Sequence, residues 1–435
     1  MYMLVAFLAL LAFLGGFGGK SAKNVECARG RVEEKWYKLW YSMVDKSKSN
    51  KSYIRSTYFV TFELISYIIK VQNKRFSLTL PINKNLSIAT TMFKNIEIDR
   101  FRGIRHSFIE GFKQINLFFG KNNCGKSSLL ESLFLASGLS NPLLPVHVNL
   151  MRGYAKSRLS DLKLDFYNLD SSQPIHIRMV DGEIRDLQIS LFEQSQENIS
   201  LKSDGTKILS NVEEGKYGLQ FDFMINDNAF SSRLQFDSSK PKSATRIISE
   251  HYEESLRCAY LSPKYDFNAS IKGLNDILQN KDEHFIVEGL KIIEPRVKDF
   301  VFSDDEMLVD VGLEKRIPVN VMGDGARKIV SLLTAIYDCK DGLLLVDEIS
   351  NGFHHTVMRD LWKVLIDAAI RNNTQLFITT HDNDSIKGLR DAALNTYSER
   401  VAAFKLLKTS DDELKAFHYS LESLDYSINQ EIEVR

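Results

Sequence analysis

Eight residues constrain this chain more than any others: Gly120, Lys121, Asn122, Asn123, Cys124, Gly125, Lys126 and Ser127. They follow Gln114 to Phe119, a run that reads as a strand. They precede Ser128 and a helix-like run to Ala136, with Leu129, Leu130, Leu133 and Leu135 mostly on one side. A glycine-rich turn between strand and helix can point successive backbone N–H groups inward, and the helix start adds partial positive charge. That is a cradle for phosphate. The spacing Gly-x4-Gly-Lys-Ser lets Lys126 reach terminal phosphate oxygens and gives the Ser127 hydroxyl to Mg²⁺.

Three further stretches supply what such a loop lacks. Leu343 to Val346 is a buried-strand run that ends in Asp347 and Glu348. Asp347 is placed to complete a Mg²⁺ shell with Ser127, and Glu348 to polarise a water as general base. Phe377 to Thr380 is a second apolar strand, ending in His381. Ligands gather at the C-terminal ends of parallel strands, which favours a catalytic His381 over a packing one. Gly323, Asp324 and Gly325 form a Gly-x-Gly turn at a helix start, a second anion-binding device.

From residue 92 onward, strand and helix patterns alternate, which implies a parallel sheet with both faces covered. The expected strands there are Ile96–Arg102, Met307–Val311, Ile317–Val321, Val401–Leu407 and Leu414–Leu421, and the helices about 325–339, 356–371 and 385–394. A short turn is expected between Gly103 and Gly111. Apolar runs at Ile175–Val180, Gln188–Phe192, Tyr217–Ile225 and Arg233–Phe236 suggest an antiparallel β lobe, and residues 246–295 look largely helical. The expected fold is therefore α/β: a central, mostly parallel sheet bearing the phosphate loop, with β-rich and helical lobes inserted at about 155–305.

Residues 1–91 read differently. Met1 to Gly19 carries no charge and approaches the length of a membrane span. Basic residues follow it, and the whole segment holds 14 Lys/Arg against 5 Asp/Glu. A genuine anchor would leave the remainder in the cytoplasm. The alternatives are an appendage without that role, or a stretch upstream of a true start at Met92. The rest of the chain carries a net −9, so it offers no broad cationic platform for nucleic acid, though a local groove is compatible. Four scattered cysteines without a CxxC pair argue against structural zinc or a disulfide framework and suit a reducing cytoplasm. Cys124 reads as a small filler, with a redox-sensitive thiol as the rival reading. His354 and His355 read as packing or interface residues, and Asp382 and Asp384 as a solvated loop. Arg102 is placed to approach a nucleotide base.

The stretches Phe101 to Ile104, Gly120 to Ser127, Val321 to Lys328, Leu343 to His355 and Thr379 to Asp382, in this order, resemble the ABC-type ATPase heads of the RecF, SMC and OLD-like group. Nearest among them are P-loop ATPases related to OLD-family nucleases and anti-phage defence ATPases. The resemblance covers about residues 92–435. It implies ATP and Mg²⁺ as ligands and an ATP-dependent homodimer. Gly323, Asp324 and Gly325 would complete the partner copy's site, and Ser350, Asn351 and Gly352 would lie at the dimer interface. It also implies a switch role in DNA maintenance or phage defence, with a separately encoded nuclease or toxin as effector and DNA as a candidate partner. The departures narrow this. The turn is not the LSGGQ of transporters and there is no clear Q-loop glutamine. The insert has no heptads for an SMC-type arm, and 54 residues after His381 leave no room for a Toprim nuclease. A nucleotide-gated scaffold with little turnover, or a membrane-anchored ATPase, remain the rival readings.

Overall fold

The computed structural model describes residues 92–430, except 155–157, 181–182, 195–197, 202–206, 211–214, 238–239, 249–251, 264–270 and 304–305. The expectations placed on residues 1–91, including the apolar 1–19 segment, lie outside the described residues. Among the described residues, no helix is long and apolar enough to cross a membrane.

In chain order the elements begin with β1 (Asn95–Phe101), β2 (Ile104–Glu110), β3 (Ile115–Phe119), α1 (Lys126–Ser137), α2 (Leu144–Met151) and α3 (Leu159–Leu162). There follow β4 (Ile175–Val180), β5 (Ile184–Gln194), β6 (Asn198–Leu201), β7 (Lys207–Ser210), β8 (Lys216–Ile225), β9 (Asn228–Asp237), β10 (Lys240–Ile248) and β11 (Cys258–Leu261). Next are α4 (Ile271–Gln279), α5 (His284–Lys291), β12 (Asp299–Ser303), β13 (Glu306–Asp310), β14 (Ile317–Pro318), α6 (Asp324–Asp338) and β15 (Leu343–Val346). The chain ends with α7 (Met358–Asn372), β16 (Gln375–Thr380), α8 (Asn383–Ala393), β17 (Val401–Lys408), β18 (Leu414–Tyr419) and α9 (Leu421–Asn429).

The central sheet has the order β11-β15-β16-β3-β17-β18. All its pairs are parallel except β17 with β18. Every residue of β3, β15 and β16 is buried, which is why these strands read as unbroken apolar runs rather than as alternations. Leu344 and Val346 face a cluster built with α5, α6 and α7. Leu343 and Leu345 face the opposite way, onto the α1 leucines. Each fully buried Leu or Phe contributes about 1.5–3 kcal/mol relative to exposure, so this two-sided core holds the three strands in fixed register.

A seven-stranded antiparallel sheet, β10-β9-β8-β5-β4-β1-β2, covers the far side of α1. Its inner face presents Ile96, Ile98, Ile177, Met179, Leu187 and Ile189 to the same cluster as the α1 leucines. Its outer face is mostly polar, as in many half-buried antiparallel sheets, with Phe108 and Met224 also exposed on it.

Several expectations need correction. Residues 104–110, expected as a turn, form β2, which pairs back on β1. The antiparallel strands expected in the inserted lobe are present, and β4 pairs with β1, so they continue one sheet with β1 and β2. Among the described residues, the 246–295 stretch is helical at α4 and α5 and not elsewhere. Within it, Cys258–Leu261 returns to the edge of the central sheet as β11, so the insertion at 155–305 is interrupted. Four residues are too few to show a period. The strand expected at Ile317–Val321 ends at Pro318 and passes into a 3-10 turn, Val319–Met322. Leu421 starts α9 instead of ending a strand, with Ser420 as its N-cap.

Candidate functional site

The loop after β3 turns on backbone that side chains disfavour. Gly120 has φ 155°, Asn123 φ 67° and Gly125 φ 107°. A Cβ on Gly120 would lie 2.6 Å from the Leu406 carbonyl oxygen of β17, so no side chain fits there. Gly125 caps α1 without a side-chain hydrogen bond, leaving the first-turn N–H groups of that helix for a ligand. Lys126 is buried, and its Nζ donates to the carbonyls of Gly120 at 2.9 Å and Lys121 at 3.1 Å. Lys121, Asn122 and Asn123 are exposed on the rim, while Ser127 and Ser128 are half-buried. Burial pushes the Cys124 thiol up, so it stays protonated and acts as a filler beside Gly120.

Strand order brings the second and third motifs to this loop. β15, β16 and β3 are consecutive in the sheet, so the residues following them emerge side by side. Ser127 Oγ donates to Asp347 Oδ2 at 2.8 Å. Thr379 Oγ1 donates to Asp347 Oδ1 at 2.5 Å, and the Tyr260 hydroxyl of β11 lies 3.4 Å from Oδ2. Glu348 N–H donates to Thr379 Oγ1 at 2.9 Å. The Glu348 carboxylate pairs with His381 Nδ1. Glu348 itself sits at φ 55°, a left-handed conformation that costs a non-glycine residue about 1–2 kcal/mol. Such strain persists where the surroundings over-determine it. Here Thr379 holds the N–H, and Lys328 Nζ holds the carbonyls of Glu348, Ile349 and Asn351 at 2.9, 3.0 and 2.7 Å.

Gly323 has φ 95°, and Asp324 is the first residue of α6. A Cβ on Gly325 would lie 3.2 Å from the Gly352 carbonyl and 3.6 Å from Phe353. The Gly323–Gly325 turn therefore packs on the loop after Glu348, and not on residues 120–127. In that loop Ser350 Oγ lies 3.3 Å from Thr380 Oγ1.

Arg102 does not face a nucleotide. Its guanidinium is buried between Glu131 of α1 at 2.9 Å and Asp165 at 3.2 Å, with Asn149 Oδ1 accepting from it at 3.0 Å. Arg152 closes the group from the other side of Glu131. Burial raises the Asp165 carboxyl to about 7. This cluster ties the end of β1 to the helix that carries the phosphate loop. Asp382 caps α8 by accepting from Asp384 N–H at 3.1 Å, so it is structural and not merely solvated. The rings of His354 and His355 lie 4.1 Å apart between centroids, tilted by 41°, and are exposed just before α7.

The donor set fits a magnesium nucleotide. Unused helix N–H groups and the Lys126 ammonium suit phosphate, while the Ser127 hydroxyl beside the Asp347 carboxylate suits a hard cation. Sequence reasoning missed Thr379, Tyr260 and Lys328. Each acts through a neighbour on another strand or loop; Thr379 and Lys328 lie within stretches already singled out, but nothing in those stretches pointed to these contacts.

Lys328 carries its own pH prediction. Burial lowers its ammonium to about 8, against the pull of Glu348 and Asp347. The folded value lies below the unfolded one, so its contribution to stability rises as pH climbs from about 8 toward about 10.5. The neutral amine has only two protons for three carbonyls, so the Glu348 turn loosens over the same window. Turnover is expected to fall above pH 8 while this residue's part of the stability rises. Lys328→Met is expected to remove both dependences and lower turnover at least about tenfold, since Glu348 is then misplaced. Phosphate release and melting curves at pH 7 and 9 check this.

The chain is similar to several known proteins. The family model described as "AAA domain, putative AbiEii toxin, Type IV TA system" matches residues 115–386. An "ATP/GTP phosphatase" of Helicobacter pylori is 24% identical over 371 residues, covering 78% of this chain and 99% of that protein. "Uncharacterized protein MJECL10" of Methanocaldococcus jannaschii is 33% identical over 123 residues, 26% of this chain and 55% of its own. Among solved structures, an SMC head bound to the C-winged helix domain of ScpA aligns with TM-score 0.43 and 10% identity, covering 77% of this chain and 99% of that one.

Proposed function

The chain belongs to the AAA-domain family whose model it matches, and we propose that it is a Mg²⁺-dependent ATPase whose working form is a dimer closed on two nucleotides. The observation that carries this reading is the meeting of Ser127, Asp347, Glu348, Thr379 and His381 at the ends of three adjacent strands. Bound at Ser127 and Asp347, Mg²⁺ would supply charge neutralisation on phosphate oxygens. Lys126 would leave the Gly120 and Lys121 carbonyls for the terminal phosphates. Glu348 would take the proton of the attacking water, with His381 orienting the carboxylate. Thr379 and Tyr260 would hold Asp347 from behind. The name of the Helicobacter pylori relative supports nucleoside triphosphate hydrolysis.

Gly323, Asp324 and Gly325 then have no phosphate to contact in their own copy, which supports their acting on the site of a second one. The contact between Gly325 and Gly352 would couple that surface to the turn after Glu348. Closure would serve as a switch, in phage defence or DNA maintenance, read by a separately encoded nuclease or toxin. The toxin–antitoxin wording of the family description supports an effector partnership of this kind.

Mixing two inactive variants tests the dimer. Lys126→Ala removes the phosphate grip and Asp324→Lys, at an exposed position of the turn, blocks the trans contact. Heterodimers of the two hold one intact composite site, so the mixture is expected to recover roughly a quarter of wild-type phosphate release. No recovery would remove the shared-site arrangement while leaving hydrolysis itself standing.

A further inference from the structure

The outer face of the antiparallel sheet carries a second constellation, remote in sequence from the phosphate loop. Asp99 of β1 lies in register with His106 of β2 on one side and His176 of β4 on the other. Glu97, two residues earlier on β1, shares the same face. His106 Nδ1 is 2.6 Å from Asp99 Oδ1, and His176 Nδ1 is 3.5 Å from Asp99 Oδ2. Ligand atoms of Glu97, Asp99 and His106 all lie within 4.8 Å of one another. Beyond them, His176 Nε2 is 2.8 Å from Asp186 Oδ1 of β5.

We infer that Glu97, Asp99, His106 and His176 form a binding site for a divalent transition-metal ion of the zinc type. Three features separate this from an ordinary row of surface ion pairs. The first is charge. Glu97, Asp99 and Asp186 share this face, and among the described residues the one Arg or Lys ion pair to them is Arg178 with Asp186 at 4.0 Å. The second is orientation. His176 Nε2 meets Asp186 Oδ1 at 2.8 Å, which fixes the ring with Nδ1 toward Asp99. A carboxylate behind a histidine is the usual way a metal-binding imidazole is oriented. The third is spacing. Ligand atoms about 2.0–2.1 Å from a tetrahedral zinc sit about 3.3–3.4 Å from each other. The His176–Asp99 separation of 3.5 Å is close to this, and the His106–Asp99 pair, now at 2.6 Å, opens by about 0.7 Å. Glu97 forms no hydrogen bond or ion pair among the described residues, so its carboxylate is available.

Two imidazole nitrogens with two carboxylates select zinc-type ions over Mg²⁺ or Ca²⁺, which prefer all-oxygen shells. The frame is paired strands, with cross-strand Cβ atoms about 4.5–5.5 Å apart, so the ligands need little rearrangement. An ion there would pin β2, β1 and β4 together at the strand that leads into the Arg102 cluster.

The test is zinc titration of the full chain, with chelator competition and metal content as readouts. One Zn²⁺ per chain is expected to bind at this site, undisturbed by millimolar Mg²⁺. The double variant His106→Gln, His176→Gln is expected to weaken zinc binding at least about 100-fold and Asp186→Asn about tenfold, with basal phosphate release unchanged. The adjacent pair His354 and His355 is the rival imidazole site, so His354→Gln with His355→Gln should leave binding intact. X-ray absorption on zinc-loaded wild-type protein needs no variant, and two imidazoles with oxygen donors are expected. Unchanged affinity in the His106/His176 variant, loss in the His354/His355 variant, or a sulfur-containing or histidine-free shell would each overturn the site.

Discussion

Replacing Glu348 by Gln is expected to lower ATP turnover by about 10²–10⁴-fold while nucleotide binding survives. The amide keeps the shape of the side chain, and the left-handed backbone at 348 is held by Thr379 and Lys328 whatever the side chain carries. What is lost is the carboxylate oxygen that meets His381 and accepts the proton of water. If closure requires nucleotide and opening requires hydrolysis, this variant also accumulates as an ATP-bound dimer. Steady-state phosphate release with light scattering separates the two consequences. Full turnover would take the general-base role from Glu348. Lost turnover in a protein that stays monomeric with ATP would leave the base and remove the sandwich.

Gly120→Ala is expected to abolish nucleotide binding, by at least about 100-fold in affinity, because it disrupts geometry rather than a polar contact. The added methyl would meet the Leu406 carbonyl at 2.6 Å and Cys124 Sγ at 3.1 Å. That carbonyl belongs to a central strand paired on both sides, so it does not yield. The loop must move instead, taking with it the carbonyl that Lys126 now grips. A fluorescent ATP analogue measures the loss. Circular dichroism checks that the sheet survives, with strain of about 1–3 kcal/mol in the melting curve. Near-normal affinity would mean that the loop adopts a different path from the one described.

The central sheet was legible in the sequence because its strands are covered on both faces. Leu343–Val346 and Phe377–Thr380 advertise themselves as apolar runs, and the polar residues that end them mark the site. The covering sheet was harder. In β2 the alternation is broken at Ser107, a polar residue buried because it donates to the Leu414 carbonyl at 2.8 Å. β11 is four residues long and carries a cysteine and a tyrosine, so nothing in its pattern exceeds background. Arg102 pointed the wrong way for a related reason. A charged residue beside a ligand loop invites a ligand role, and its partners Glu131 and Asp165 are distant in sequence and meet it only once α1 packs against β1. Thr379 and Tyr260 depended on strand order, which no local pattern contains.

The strand order also sets a schedule for synthesis. β16 lies between β15 and β3 in the sheet, yet it is made last of the three. When α1 has left the ribosome, the phosphate loop has its lysine and serine but neither its carboxylates nor its histidine. At about 5–20 residues per second, the wait for Asp347 and His381 is on the order of 10–50 s. During that time the gap beside β3 exposes two apolar edges that only β16 can fill. An emerging chain of this protein is therefore expected to need a chaperone's cover until close to its end, and a truncation before residue 375 to aggregate rather than to bind nucleotide weakly.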